Sequence, residues 1–281
     1  MSDLDPPTEE IDDQATERGE TLAPWLVASA AVVGAKHVVV DKPSQDSVAT
    51  YADQDCAVVA VADGHGDPRH ARSDVGSRLA CEVALEVFKE LSQDILDQGR
   101  HHKEWERELR LRLPGRISWM WNQRVREHAG QTEPDGAWHP DVDLYGTTLI
   151  CALLTRRCVV LFQLGDGDLV VVSKAGVHCA FPPSDELFGT ATWSLAQADA
   201  PTHADLICCH PRDLSLLLLC TDGIRDAFVK KPEAFLGVGR WLHSRVKEEG
   251  LSRVEETLPE WLSELSRRGN GDDASIAMLK F

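Results

Sequence analysis

Apolar positions in this chain fall into two patterns, short unbroken runs and stripes of helical period, and the patterns come in blocks. Val58-Val59-Ala60-Val61-Ala62 is a run without polar alternation, which predicts a strand covered on both faces. It runs into Asp63-Gly64-His65-Gly66, so an acid, a histidine and two glycines stand where the strand ends. Upstream, residues 25–33 read as a first strand, and 35–40 continue it or pair with it. Lys42-Pro43-Ser44-Gln45-Asp46 reads as a turn into the strand at 51–62. Downstream, Val75, Leu79, Val83, Val87, Leu91 and Ile95 recur every fourth position, one apolar stripe of a long helix that Ser73 or Asp74 can cap. A second helix is predicted from about residue 103, broken at Pro114-Gly115 and resumed through Ile117, Trp121 and Val125. Residues 130–143 read as a loop.

The period then changes. Residues 147–154, 158–164 and 169–173 predict three strands, the last two joined as a hairpin by Gly165-Asp166-Gly167-Asp168. Residues 181–200 show little periodicity. Residues 206–209 and 214–220 predict two more strands, the second almost wholly apolar and therefore central. Two helical stretches follow at 232–247 and 252–268. Ser252 and Glu255 form a capping box for the second, and Pro259 divides it. A closing strand spans 274–281. Helices paired between runs of strands predict an α+β fold with mostly antiparallel sheets rather than alternating βαβ units.

Composition narrows the classes. A net charge of -17, from 46 acids and 29 bases, argues against a general nucleic-acid binder or anionic-membrane binder and leaves carboxylates for divalent cations. Eight cysteines form no C-x-x-C and sit in apolar runs, which reads as small buried hydrophobes in a reducing compartment. Residues 1–20 carry eight acids and one base, Arg18, and read as a disordered acidic tail. No signal-type apolar segment and no stretch near ~20 apolar residues is present, so a soluble, cytoplasmic protein is expected.

Three apolar runs meet acids at their ends: 58–62 into Asp63-Gly64, 216–221 into Asp222-Gly223, and Asp272-Asp273 leading into 274–281. Asp143 stands three residues before Gly146-Thr147-Thr148, and Asp46 follows Gln45 ahead of the opening strand. An Asp before Gly is by itself a common turn former. Acids at the ends of the most apolar strands point instead to one shared site. Hard divalent cations take oxygen ligands and retain waters, so a few carboxylates suffice, and two such ions form a clamp for displacement at phosphorus.

The ordered set resembles the metal-dependent protein serine/threonine phosphatases of type 2C (PPM), and within them a prokaryotic-like branch. The resemblance rests on Val61-Ala62-Asp63-Gly64-His65-Gly66, Asp143 with Gly146-Thr147-Thr148, Leu164-Gly165-Asp166-Gly167, Leu219-Cys220-Thr221-Asp222-Gly223, Asp272-Asp273-Ala274-Ser275 and the early Gln45-Asp46. It covers about residues 25–281, so 21–281 are expected to form one phosphatase domain behind the tail. It implies a four-layer α-β-β-α sandwich, two antiparallel sheets flanked by helix pairs. It also implies hydrolysis of phosphoserine and phosphothreonine in proteins by a water bridging two Mg²⁺ or Mn²⁺ ions. By the same resemblance Asp63 would bridge the ions, the Gly64 carbonyl would bind one, and Asp222 and Asp273 the other. Asp143 would help hold a third, weaker ion, Asp46 would act as an outer ligand or through water, and His65 would protonate the leaving oxygen. The partner expected is a phosphorylated protein, met by a monomer.

The chain departs from that pattern where many members carry a phosphate-gripping arginine. Here the position is Asp41, and His37 and Lys42 are the nearest replacements, neither with the bidentate fork of Arg. A second reading keeps the fold as a catalytically weak scaffold that binds a phosphoprotein or sensor partner. Other motifs fail. Asp141-x-Asp143 opens like an EF-hand loop, but its twelfth position is Ala152, and there is no Walker-type loop and no G-x-S-x-G.

Overall fold

The structure, a computed structural model, describes residues 25–132, 141–181, 192–228 and 232–281. The acidic segment 1–20 lies outside the described residues, as does most of the unpatterned stretch after 181.

Two antiparallel five-stranded sheets face each other. The first has the order β2 (Ser47–Ala52), β3 (Cys56–Ala62), β4 (Leu149–Thr155), β5 (Val159–Leu164), β8 (Asp205–Cys209). The second has β1 (Leu26–Val32), β10 (Ala274–Lys280), β9 (Leu214–Cys220), β6 (Asp168–Ser173), β7 (Gly176–Cys179). Helices α2 (Ser73–Gln98) and α3 (His102–Thr132) cover the first sheet; α5 (Pro232–Glu249) and α6 (Leu251–Arg268) cover the second. Short helices α1 (Ala35–Val39) and α4 (Asp222–Asp226) follow strands β1 and β9. This is the four-layer α-β-β-α arrangement, built from three buried clusters, one between the sheets and one under each helix pair.

Alternation along the strands sorts side chains between those clusters and thereby aims the site. In β3, Ala57, Val59 and Val61 point between the sheets, while Val58, Ala60 and Ala62 point at α2 and α3. Asp63 is next in the inward phase. On β9, Leu217 and Leu219 face inward and Leu216, Leu218 and Cys220 outward, so Thr221 continues inward. On β10, inward Ala277 and Leu279 put Ser275 and Asp273 in the same phase, and inward Val48 on β2 does so for Asp46. A shift of one residue in any of these registers would turn its acid out of the space between the sheets.

The structure departs from the sequence pattern in several places, among them the start of α2, where Arg72 and neither Ser73 nor Asp74 is the N-cap, and the strand read at 51–62, which is split between β2 and β3. Residues 35–39 form helix α1, not an extension of β1, because Gly34 lies against the chain just before β10. A Cβ there would stand 2.4 Å from the Asp272 carbonyl carbon, and no side chain could pass. Gly165-Asp166-Gly167 makes no hairpin. Gly165 has φ of 104° as a tight turn requires, but β5 pairs with β4 and β8 while β6 pairs with β9 and β7, so the turn crosses between sheets. Pro114 and Pro259 lie inside continuous helices, held straight through by buried faces such as Leu251, Val254, Leu258 and Leu262. Ser252 and Glu255 form no capping box. Gly250 is the N-cap, and the Glu255 carboxylate takes the Ser29 N–H at 3.0 Å, tying α6 to β1.

All eight cysteines are free thiols, six of them buried. Among the described residues no helix is long and apolar enough to cross a membrane.

α2 carries Gly76 against the 3-10 turn Val142–Tyr145, with its carbonyl bonded by the buried Trp121 indole at 3.0 Å. A Cβ on residue 76 would stand 1.9 Å from the Tyr145 carbonyl oxygen. Ala is favoured over Gly in a free helix by about 1 kcal/mol, but here the backbone clash wins. Gly76→Ala is expected to lower Tm by roughly 4–8 °C, a net loss of about 2 kcal/mol; a rise in Tm on thermal denaturation would contradict this packing.

Candidate active site

The end of the sandwich where these inward phases meet is strapped to the opening strand by hydrogen bonds. The Asp63 N–H donates to Thr148 Oγ1 at 3.0 Å, and the Asp63 carbonyl accepts from the Thr148 N–H and from Thr147 Oγ1, both at 2.9 Å. The His65 N–H reaches the Gly146 carbonyl at 3.0 Å. Gly64 donates its N–H to the Gln45 carbonyl at 3.1 Å, and its own carbonyl accepts none of these bonds. A Cβ there would lie 2.6 Å from both the Gln45 and Ser73 carbonyl oxygens, so only glycine fits. The backbone around Asp63 is therefore fixed on three sides.

The remaining acids arrive on other elements. Asp46, buried just ahead of β2, accepts from Thr221 Oγ1 at 2.8 Å. Asp222 opens α4 directly after β9. Gly223 brings that first turn onto the entry to β10, where a Cβ would stand 1.9 Å from the Asp273 carbonyl oxygen. Asp273 is buried, and its two carboxylate oxygens already hold three donors. The Gly34 N–H and His37 Nδ1 bond one oxygen at 2.6 and 2.9 Å, and the Gln45 N–H bonds the other at 2.7 Å. Its neighbour Asp272 instead stands beside Asp222.

These acids crowd one another. Burial pushes the Asp63 carboxyl well above the usual carboxylate range, and the charges of Asp46 and Asp222 add to it, with the Asp222 carboxyl close beside it. Burial also raises Asp46, with Asp273 adding to the effect, while the hydroxyls of Thr221 and Ser275 beside it pull the other way. Asp222 is pushed up to about 6 by burial and then by Asp166, with Asp226 and Asp272 contributing. Asp168, at the start of β6, also rises to about 6 through burial, held back by Arg225, whose Nη1 lies 3.1 Å from it. His65 is half-buried. Burial and then the neighbouring His70 ring, edge-on at 4.9 Å, depress it to about 4, and Asp166 opposes them.

The structure thus brings Asp46, Asp63, Asp222 and Asp273 to one end of the sandwich, with His65 beside them. Three positions differ from the sequence-based expectation. Asp143 is exposed on its 3-10 turn near Arg69, its carbonyl bonded by His70. Asp166, which the expectation did not count among the ion-holding acids, is near enough for its charge to raise both Asp63 and Asp222. Its signal was present in the sequence, an acid directly after the apolar β5, but its glycines read as a hairpin. Asp273 uses its oxygens to hold the segment 34–45, whereas Asp272 has the place next to Asp222. Of the two replacements for arginine, His37 is engaged with Asp273 and Lys42 with the Gln45 amide oxygen. The Gln45 amide nitrogen in turn bonds the His65 carbonyl at 2.9 Å and the Ser73 hydroxyl.

Hard oxygen donors, partly buried and mutually repelling, are the donor set a divalent ion of the Mg²⁺ or Mn²⁺ type takes. Among the described residues no three donors are already gathered in the geometry of a filled metal site. A cation beside Asp63 and Asp222 would relieve the repulsion that raises both carboxyls, so the residues fit the group.

The family model described as Protein phosphatase 2C matches residues 33–263. No curated protein sequence matches the chain. Among solved structures, a bacterial serine phosphatase superposes with a TM-score of 0.56 at 17% identity, covering 91% of this chain and 97% of that one. The serine/threonine phosphatase Stp1 from Staphylococcus aureus gives 0.58 at 18% identity, covering 94% and 98%. The catalytic domain of the serine/threonine protein phosphatase PstP, in complex with two manganese ions, gives 0.54 at 17% identity, covering 92% and 98%. At these identities the superpositions speak for the fold, and the family model, spanning most of the chain, speaks for descent: the chain belongs to the protein phosphatase 2C family, the metal-dependent protein serine/threonine phosphatases.

Proposed function

We propose that this chain hydrolyses phosphoserine and phosphothreonine in proteins by direct attack of water, with two Mg²⁺ or Mn²⁺ ions held at the Asp63–Asp222 end of the sandwich. The feature that carries the reading is the close approach of the Asp63 and Asp222 carboxyls within a ring of further acids, whose charges and partial burial raise both. A binding scaffold has no use for such crowding, which lowers stability unless a cation offsets it.

Asp63 and Asp222 would hold the ions, with the Gly64 carbonyl, Asp272 and Asp166 as the neighbouring oxygen donors and Asp46 behind Thr221. Asp273 acts by fixing the loop that carries Gln45 and Asp46. When bound, the ions supply positive charge that makes a water nucleophilic near neutral pH and offsets charge on the phosphoryl oxygens. His65, placed by the Gly146 strap and half shielded from solvent, gives a proton to the departing serine or threonine oxygen. The phosphate dianion favours the charged form of that ring as it arrives. Lys42, tethered through Gln45 to the His65 carbonyl, supplies the cation nearest to the position where Asp41 replaces arginine.

Two outcomes test this. Wild-type protein is expected to release phosphate from a phosphothreonine peptide in Mn²⁺ and to bind at least two Mn²⁺ by calorimetry. Asp63→Asn is expected to lower kcat/KM by on the order of 10³-fold or more. Equal turnover by the two proteins would end the mechanism, and wild type without Mn²⁺ binding would favour the scaffold.

The second concerns pH. Asp222 sits at about 6 in the folded protein against an ordinary 3.8. Its raised value means its contribution to stability is complete below about pH 4 and lost as pH rises through about 6. In chelator, the stability of Asp222→Asn relative to wild type is therefore expected to grow between pH 4 and 7, by on the order of 1–3 kcal/mol. A difference that stays flat across that range in thermal unfolding would contradict the buried, crowded carboxyl.

A further inference from the structure

The connection between β1 and β2 presents an apolar surface that the chemistry above leaves unused. Val38, Val39 and Val40 are 66%, 84% and 68% exposed, side by side. One exposed valine is ordinary; three in succession on a small segment form a patch. The segment is firmly mounted. Besides the three donors it gives Asp273, it bonds the Gly271 carbonyl through the Lys36 N–H at 2.9 Å and Ser266 Oγ through the Ala35 N–H at 3.0 Å. Among the described residues Asp41 is the only non-glycine with positive φ, 54°, a backbone state that persists where surrounding contacts over-determine it.

The patch adjoins the site. His37, whose ring touches Asp273, is one residue from Val38, and Lys42 and Gln45 close the segment on the other side. The segment is tied to the site on both sides, by His37 on Asp273 and by Lys42 through Gln45 to the His65 carbonyl, so a protein substrate whose phosphorylated side chain enters beside Asp63 brings its flanking residues near the valines. The net charge of -17 repels acidic segments, whereas aliphatic contact does not work against that field.

We infer that Val38, Val39 and Val40 form a docking ledge for the substrate polypeptide, taking aliphatic side chains that flank the phosphorylated serine or threonine; this rests on the phosphatase reading above. The ledge sets substrate choice by binding and takes no part in phosphoryl transfer.

The test compares the full wild-type chain with the combined variant Val38→Asn, Val39→Asn, Val40→Asn in Mn²⁺. The substrates are p-nitrophenyl phosphate, a phosphothreonine peptide with leucine and valine within four residues of the phosphate, and the same peptide with serine at those places. Wild type is expected to prefer the aliphatic peptide by about 10-fold or more in kcat/KM, mainly through KM, and the variant to lose that preference. Turnover of p-nitrophenyl phosphate and Tm should be unchanged. A variant that keeps the preference, or a wild type that has none, overturns the ledge. So does faster turnover of every substrate by the variant, which would assign the valines to a segment of this chain that covers the mouth, or a dimer present in wild type and lost in the variant. If wild type hydrolyses none of the three, the phosphatase reading fails, and fluorescence anisotropy with the labelled aliphatic peptide decides the ledge alone. About tenfold weaker binding by the variant supports it, and equal binding overturns it.

Discussion

Carboxyl groups held close together out of water repel one another, and the architecture at this end of the sandwich is arranged to keep them together nonetheless. The Asp63 and Asp222 carboxyls raise each other's affinity for a proton, Asp46 lies behind them on the Thr221 hydroxyl, and Asp166 and Asp272 stand near Asp222. Each acid comes from a different strand end, so no local rearrangement of one loop disperses them. Relief has to come from protons at low pH or from a cation at neutral pH. The choice between those two is the link from fold to chemistry.

The constraint is met by backbone contacts that leave no room for a side chain. Gly64 lies against the Gln45 and Ser73 carbonyls, and Gly223 against the Asp273 carbonyl. Each glycine sits directly after one of the two touching acids, so the loops that carry Asp63 and Asp222 are drawn onto neighbouring strands from both sheets. Asp273 does related work with its side chain. By holding Gly34, His37 and Gln45 it joins the start of β10 to the loop carrying Asp46, and so closes the edge between the two sheets. The same clamp fixes the mount of the exposed valines, which makes the shape of the mouth depend on the same residues that organise its floor.

Much of this was legible in the sequence. The unbroken apolar runs at 58–62 and 216–220 mark strands buried on both faces, and they are so. The period-four stripe from Val75 to Ile95 is the buried face of α2 in all but Val75, which is only partly covered. Acids placed after those runs point to a shared site, and alternation alone puts Asp46, Asp63 and Asp273 between the sheets. What was not legible depends on contacts distant in sequence. Two glycines around Asp166 fit a hairpin and a crossing between sheets equally well, and only the pairing of β6 with β9 decides. Asp272 and Asp273 are adjacent and chemically identical; which one is saturated by donors depends on a loop more than 220 residues away. Pro114 lacks a helical hydrogen bond, but the buried faces of α3 on either side of it outweigh that loss.

The central claim is that the close pair of carboxyls, Asp63 and Asp222, marks the place of a divalent cation. Crystals grown with Mn²⁺ at neutral pH, with data collected at the manganese absorption edge, test it most directly. The account predicts two anomalous peaks at this end of the sandwich, each within coordination distance of an Asp63 or Asp222 oxygen. An anomalous map with no peak there, and the Asp63 and Asp222 carboxyls still close together, would contradict it.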